Sequence, residues 1–345
     1  MTICPFGVRK ADVWKESESN MFYLETGSRD PYYNLAFEEI VLQRRTTGDY
    51  LLLWQNENTI VVGQNQNTEG EINRSFVEAH KIHVVRRTTG GGAVYHDLGN
   101  LNYSFITSVE DPERLTMEKF TKPVVSALQG LGLSAEASGR NDILVNGRKV
   151  SGTAQRLAKG RILYHGTLLF DSSPGMVEGA LQVDPAKFRS KSAKSVRSRI
   201  GNIRAALKTD MTLPEFWDYL KTALGGELVP AALTPEERTA VEELKRTKYD
   251  TWEWNFGRSP KYGRTSKAWF DGGGLEIRTA VEKGRIMDIV FYGDFLAMSS
   301  LEGLTAALRG CPFRREDAEA VLDRFPLQAL FGGIRKEEIL DTMFY

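Results

Sequence analysis

The segment Arg86-Arg87-Thr88-Thr89-Gly90-Gly91-Gly92-Ala93-Val94-Tyr95-His96 has the residue types of an anion site. Three consecutive glycines permit positive φ and let the backbone approach a ligand closely. Successive N–H groups in such a loop can form an anion nest. The two arginines before it bring forked donors suited to carboxylate or phosphate. No GK[ST] follows the glycines, so this is not a Walker A loop. The plainer reading is a glycine turn beside solvated arginines.

Lys149 stands in Gly147-Arg148-Lys149-Val150-Ser151-Gly152-Thr153-Ala154-Gln155-Arg156, shortly after Gly139-Arg140-Asn141-Asp142. Its small neighbours leave room for a ligand, and a lysine is a mobile point charge suited to phosphate. The plainer reading is a hairpin with exposed basic side chains. Tyr164-His165-Gly166-Thr167-Leu168-Leu169-Phe170 adds a strand histidine, a residue more often structural than catalytic. His80 and His83 read as helix surface, because two histidines without cysteines or acids at ligand spacing make a poor zinc site. Lys191, Lys194, Arg197, Arg199 and Arg204 lie in a polar stretch. It reads as a solvated loop, a lid over an anionic ligand, or a contact for an acidic partner surface. Glycines, cations and few acids recur in these stretches. Together they describe a pocket for a carboxylate and a phosphate.

The elements that must position these residues alternate short strands and helices. Asn34 is expected to cap a helix running to about Arg45. Leu51–Trp54 and Thr59–Val62, around the polar turn Gln55–Asn58, read as a hairpin. Glu71–His80 reads as a helix and Ile82–Arg86 as a strand leading into the glycines. Asn102–Ile106 is a further strand, and Met117–Leu131 a helix stopped by Gly132. Asn146-Gly147 is a strong hairpin turn between Ile143–Val145 and Lys149–Ala154. Ile162–Phe170 is a strand and Asp184–Ile203 a long basic loop. Leu213–Leu224 and Pro235–Lys245 read as helices, the second capped by Thr234 with Pro235 in its first turn. Near residue 250 the texture turns aromatic. Strands Leu275–Val281 and Ile286–Tyr292 follow, joined by a Glu282–Arg285 turn, then helices near Ser300–Leu308 and Glu316–Leu322. Mixed hairpins and helices of this kind predict an α+β fold. The expected division is an extension over 1–20, a catalytic domain over 21–249 and an accessory domain over 250–345.

Composition sets the outer limits. A length of 345 residues suits about two domains. Forty-five basic residues balance forty-five acidic ones, which argues against a whole-chain nucleic-acid footprint. The two cysteines, Cys4 and Cys311, form no CxxC pair, so neither a disulfide framework nor a zinc ribbon is expected. No apolar run approaches the ~20 residues of a membrane span. Asp12, Glu16 and Glu18 argue against a transit peptide. A cytoplasmic monomer without membrane or nucleic-acid partners is the expectation.

Eight stretches in register resemble the lipoate-protein ligase family, from Phe22 nearly to the C-terminus. They are NLAFEE, WQNENTIVVGQNQN, RRTTGGGAVYHDLGNLNYSF, GRNDI, GRKVSGTAQR, HGTLLF, KSVRSRIGNI and WEWNFG. The resemblance implies a fold shared with biotin ligases and class II aminoacyl-tRNA synthetases. It implies that lipoate and Mg²⁺-ATP give lipoyl-AMP, from which a lysine of a lipoyl carrier domain takes the acyl group. The carriers would be 2-oxoacid dehydrogenase E2 subunits or the glycine cleavage H protein. It assigns the catalytic contact to Lys149. It assigns lipoate and lipoyl-AMP contacts to Arg87, Thr89, Gly90, Gly91, Gly92, Ala93, His96, Asn141, Asp142, Lys149, Ser151, Gly152, Ala154, Arg156, His165, Gly166 and Thr167. The adenylate loop would be Lys194, Ser195, Val196, Arg197 and Ser198. Metal ligands are not indicated.

Four other readings stay open on the sequence. An octanoyl or lipoyl transferase would use an acyl-thioester on a cysteine, and neither cysteine lies in a matched stretch. A transferase fed with preformed lipoyl-AMP would need no such cysteine. A biotin ligase would carry a GRGRxG-like loop, which RRTTGGGA does not match. A binding module would consume no ATP.

Overall fold

The computed structural model describes residues 21–109, 118–139, 141–181, 200–256, 264–282 and 284–344. The N-terminal extension and the expected adenylate loop, Lys194 to Ser198, lie outside the described residues, as do Lys191 and Arg199.

Fourteen described strands are numbered in chain order: β1 Met21–Glu25, β2 Asp49–Trp54, β3 Thr59–Val62, β4 His83–Arg86, β5 Val94–His96, β6 Asn100–Ser108, β7 Ala135–Ser138, β8 Asp142–Val145, β9 Arg148–Ala158, β10 Arg161–Leu169, β11 Leu228–Pro230, β12 Arg264–Phe270, β13 Gly273–Glu282 and β14 Arg285–Gly293. Eight of them form one mixed sheet in the order β11-β1-β2-β6-β10-β9-β8-β7. A second sheet has the order β4-β3-β5, and a third, β12-β13-β14, carries the C-terminal unit. The architecture is α+β, as expected.

The central strands follow the period of two that a sheet with both faces covered requires. Leu51, Leu53, Tyr103 and Phe105 point into a core that also holds Phe120 and Val124, and Phe216 and Leu220, from the helices Glu118–Gly130 and Leu213–Gly225. Tyr50, Leu52, Trp54, Ile106 and Leu163 point to the other face, against the helices Pro31–Arg44 and Pro235–Leu244. That second face also carries a buried polar row: Asn100, Asn102 and Ser104, alternating with Leu101, Tyr103 and Phe105.

Several local expectations hold. Thr234 and Glu237 form a reciprocal capping box at the start of Pro235–Leu244. Asn146 and Gly147 both have positive φ, 52° and 72°, as a two-residue turn between β8 and β9 demands. Gly132 has φ 77° just past the helix Glu118–Gly130.

Others are corrected. Asp30, not Asn34, caps the first helix; its carboxylate accepts from the Tyr32 and Tyr33 N–H groups, and Pro31 occupies the first turn. Asn34 lies inside that helix, with its Nδ2 donating to the Ser28 and Gln55 carbonyls and to Asn56 Oδ1. β2 and β3 do not form a hairpin. Both edges of β2 are taken by β1 and β6, so β3 pairs instead with β4 and β5. The expected helix Glu71–His80 is two short helices, Thr68–Glu71 and Arg74–Ala79, and His83 opens β4. β12 and the helices Leu327–Phe331 and Lys336–Phe344 were not read from the sequence.

The C-terminal unit has its own core, including Leu275, Ile289, Phe295, Leu304 and Phe331. It meets the larger unit through main-chain hydrogen bonds around one segment. Gly293 N–H donates to Asn65 O, Gly91 N–H to Phe295 O, Gly90 N–H to Ala297 O, and Leu157 N–H to Met298 O. A Cβ on Gly90 would lie 2.5 Å from Ala297 N, so the seam needs glycine there.

Arg86 ties a second seam. Its guanidinium donates to the carbonyls of Gly63, Gln64, Gln66, Trp254 and Asn255 and to Thr68 Oγ1. Asn255 Oδ1 in turn accepts from Arg86 N–H. Burial lowers this guanidinium to about 10. Arg86 is therefore a cross-link between β4, the loop after β3 and the segment Trp252–Asn255, and not a free cation for a ligand.

Candidate active site

A cavity of about 90 Å³ opens between the second face of the large sheet, the first helix and the glycine loop. The register of the sheet explains its composition. β10 pairs His165 with Ser104 and Thr167 with Asn102, so the polar row of β6 and the histidine share one side. On β9 a bulge does the rest. Ile143 pairs with Ser151 but Leu144 pairs with Lys149, leaving Val150 as the extra residue. In a regular strand Lys149 and Gly152, three apart, would face opposite sides; one extra residue brings both to the cavity. A Cβ on Gly152 would lie 3.2 Å from Lys149 Nζ, so glycine there gives the lysine its space.

Lys149 Nζ forms an ion pair with Asp142 at 2.7 Å, both side chains 34% exposed. Gly201 N–H donates to Lys149 O, and Ile200 bridges Lys149 in parallel, so the basic stretch returns to the chain beside this lysine. Arg204, expected among the cations of that stretch, is held away from the cavity by Asp171 and Asp210 at 2.9 and 2.8 Å.

Behind the cavity runs a buried polar chain. His165 Nδ1 contacts Glu38 at 2.9 Å and its Nε2 contacts Thr89 Oγ1 at 2.8 Å. Glu38 also accepts from Ser104 Oγ, which accepts from Trp54 Nε1. Arg87 donates from Nε to Thr89 Oγ1 and from its terminal nitrogens to the carbonyls of Val61, Gly90 and Gly92. Burial lowers this guanidinium to about 10, while Glu38 opposes that shift. Arg87 thus shapes the glycine loop from within. The loop is also not the free anion nest expected, since Gly90 and Gly91 N–H already serve the C-terminal unit.

Of the expected binding residues, Arg87, Gly92, Ala93, His96, Asn141, Lys149, Gly152, Ala154, His165, Gly166 and Thr167 line the cavity. Thr89, Gly90, Gly91, Asp142, Ser151 and Arg156 do not. Ser151 is fully buried, and Arg156 lies 3.6 Å from Glu39 beside Lys248. Leu35, Trp54, Val61, Val94, Asn102 and Thr153 line it without having been singled out. The alternation Asn100-Leu101-Asn102-Tyr103-Ser104-Phe105 was the available signal: polar side chains on one face of a strand too central to be wet. Glu38 had no comparable signal, because a carboxylate in NLAFEE reads as helix surface.

His96 is 3% exposed and stays neutral. Burial, then Arg87 and His165, lower its pKa from 6.5 to about 3. Below pH 6.5 the unfolded chain gains a proton on this ring that the folded chain refuses. Stability is therefore lost as pH falls from about 6.5 towards 3, by up to ~1.4 kcal/mol per pH unit. The His96→Gln variant is expected to show a shallower acid limb in urea unfolding between pH 6 and pH 4. An unchanged slope would show that His96 does not set it.

An apolar-lined pocket with one lysine and a glycine loop beside it has the make-up of a small-molecule site. Residues 30–225 match the lipoyl protein ligase A/B catalytic domain, and residues 259–343 match the bacterial lipoate protein ligase C-terminus. The chain belongs to the lipoate-protein ligase family and is an enzyme of that class. It is 43% identical to lipoate-protein ligase 1 of Staphylococcus aureus over 317 residues, covering 91% of this chain and 97% of that one. A bi-partite lipoate protein ligase of Thermoplasma acidophilum, described with its E2 lipoyl domain, shares the fold with a TM-score of 0.61 at 31% identity, over 72% of this chain and 99% of that one. A lipoate-protein ligase A bound with ATP has a TM-score of 0.59 at 27% identity, over 70% and 99% of the two chains.

Proposed function

We propose that this ligase works in two steps at the Lys149 pocket. Lipoate and ATP give lipoyl-AMP and pyrophosphate, and a lysine of a lipoyl carrier domain then displaces AMP to form an amide. The observation that carries the reading is the placement of Lys149 by the β9 bulge at the edge of a cavity lined by Leu35, Trp54, Val61 and Val94. A carboxylate approaching a triphosphate is repelled, and a mobile ammonium offsets that repulsion as the acyl phosphate forms. The same ammonium faces the carbonyl oxygen when the carrier lysine attacks. Membership of the family and an ATP-bound relative support the nucleotide step. The Thermoplasma relative described with its E2 lipoyl domain supports a lipoyl carrier domain as acceptor; E2 subunits and the glycine cleavage H protein are the acceptors we propose.

Magnesium fits the donor set. Mg²⁺ takes oxygen ligands and often binds through one or two carboxylates plus substrate phosphates. Asp142 is a carboxylate already in contact with Lys149. It would hold the ion once the lysine turns to the phosphate, and the ion would neutralise polyphosphate charge. Among the described residues no group of three or more His, Cys, Asp or Glu forms a metal cage.

Cys311, the cysteine among the described residues, packs against the C-terminal core, and burial raises its thiol pKa. It does not line the cavity, which speaks against a thioester route. We read the chain as a cytoplasmic monomer with its catalytic part over 21–249 and an accessory part over 250–345. Among the described residues, no helix is long and apolar enough to cross a membrane. The test mixes the protein with lipoate and Mg²⁺-ATP without carrier and looks for lipoyl-AMP by mass spectrometry. Its appearance is the expected result. Its absence from folded protein would move the reaction to a preformed acyl donor.

A further inference from the structure

The cavity holds a hydrogen-bond donor that no group among the described residues satisfies. His96 lines it and is buried, and its Nε2 has no partner among the described residues. The neighbours fix which ring nitrogen bears the proton. Asn34 Nδ2 donates to Asn56 Oδ1, which turns Asn56 Nδ2 towards His96 Nδ1 at 3.1 Å. Nδ1 must then accept, and in the neutral ring the proton sits on Nε2. Asn102 repeats the pattern. It is 2% exposed, its Oδ1 accepts from Asn100 Nδ2, and its own Nδ2 has no partner among the described residues.

Both donors lie on the Trp54 side of the cavity. Asn102 pairs with Trp54 in the sheet, and the His96 ring packs edge-on to the Trp54 indole with centroids 6.3 Å apart. β2, which carries Trp54, is three strand spacings from β9, which carries Lys149. That is about 14 Å across the cavity floor. If the acyl head sits at Lys149, the tail reaches these donors.

We infer that His96 Nε2–H, with Asn102 beside it, is a specificity determinant for the tail of the acyl chain, selecting a chain that ends in a sulfur acceptor over a plain alkyl chain of the same length. The inference rests on the lipoate-activating reading above. A buried N–H without an acceptor is costly, and a plain alkyl tail leaves it unmet while sealing it from water. A dithiolane sulfur is a weak acceptor, yet it meets the donor without a solvating water. Sites built around a donor discriminate against ligands that cannot answer it.

The experiment compares kcat/KM for lipoate and octanoate in wild type, His96→Phe and His96→Gln, reading acyl-AMP by mass spectrometry. The readout is the lipoate-to-octanoate ratio, from which any loss common to both acids cancels. His96→Phe keeps a ring against Trp54 and removes the N–H; the ratio is expected to fall about tenfold. His96→Gln restores a side-chain N–H and is expected to recover much of the ratio. A ratio unchanged in His96→Phe overturns the inference. In wild-type protein labelled with ¹⁵N-histidine, the His96 Nε2–H resonance should shift with lipoate and not with octanoate. Equal shifts with both acids would also overturn it. Acyl-AMP formed from neither acid by wild type would instead refute the activating reading.

Discussion

Lys149→Ala is expected to slow lipoyl-AMP formation about a hundredfold to a thousandfold, the ~3–4 kcal/mol typical of one lost charge-stabilising group. Acyl transfer from supplied lipoyl-AMP should fall similarly, because the same ammonium faces the acyl oxygen in both steps. Stability should hardly change. The pair with Asp142 is one-third exposed on each side, and such pairs contribute at most ~1 kcal/mol. Matching urea midpoints together with a collapsed rate would place the effect in chemistry and not in folding. A variant that forms lipoyl-AMP at the wild-type rate would remove Lys149 from the mechanism.

Arg86→Met should be the most damaging substitution for stability, costing about 3–5 kcal/mol. The methionine fills part of the volume but takes the guanidinium from six acceptors in two segments, of which Gly63 O keeps the Gln66 N–H and Asn255 O keeps the Thr68 hydroxyl. Each buried acceptor left unmet costs roughly 1–3 kcal/mol, with some recovered by entering water. The loss should be local before it is global. Proteolytic nicking should rise near Gln64–Gln66 and near Trp252–Asn255, the strands of one cross-link. An unfolding free energy within ~1 kcal/mol of wild type would mean that water replaces the guanidinium at little cost.

The sequence made local rules visible and left partnership hidden. Thr234, Pro235 and Glu237 specify a helix start within four residues, and Asn146-Gly147 specifies its turn by the φ angles it needs. The glycines and Lys149 were recognisable because their chemistry is unusual for a surface. By contrast, β2 and β3 resemble a hairpin in sequence, and only the occupied edges of β2 forbid it. The His96 tautomer depends on Asn56 and Asn34, distant in the chain and close in space. The bulge at Val150 is invisible in composition, yet it decides which way Lys149 faces. By charge both arginines read as ligand groups. In the fold the Arg86 fork is spent on the protein's own carbonyls and the Thr68 hydroxyl, while Arg87 holds Thr89 and three carbonyls and still lines the cavity.

The seam between the glycine loop and the segment Gly293–Met298 is written mainly in backbone N–H and C=O groups, with Gln155 Nε2 donating to Met298 Sδ at its end. Any residue except proline offers those groups. Substitutions across this contact are therefore free to drift independently wherever size permits, and homologous sequences should show little paired variation there. Methods that infer proximity from correlated change would miss the junction, while glycine at position 90 would stand out as a lone invariant without a visible partner.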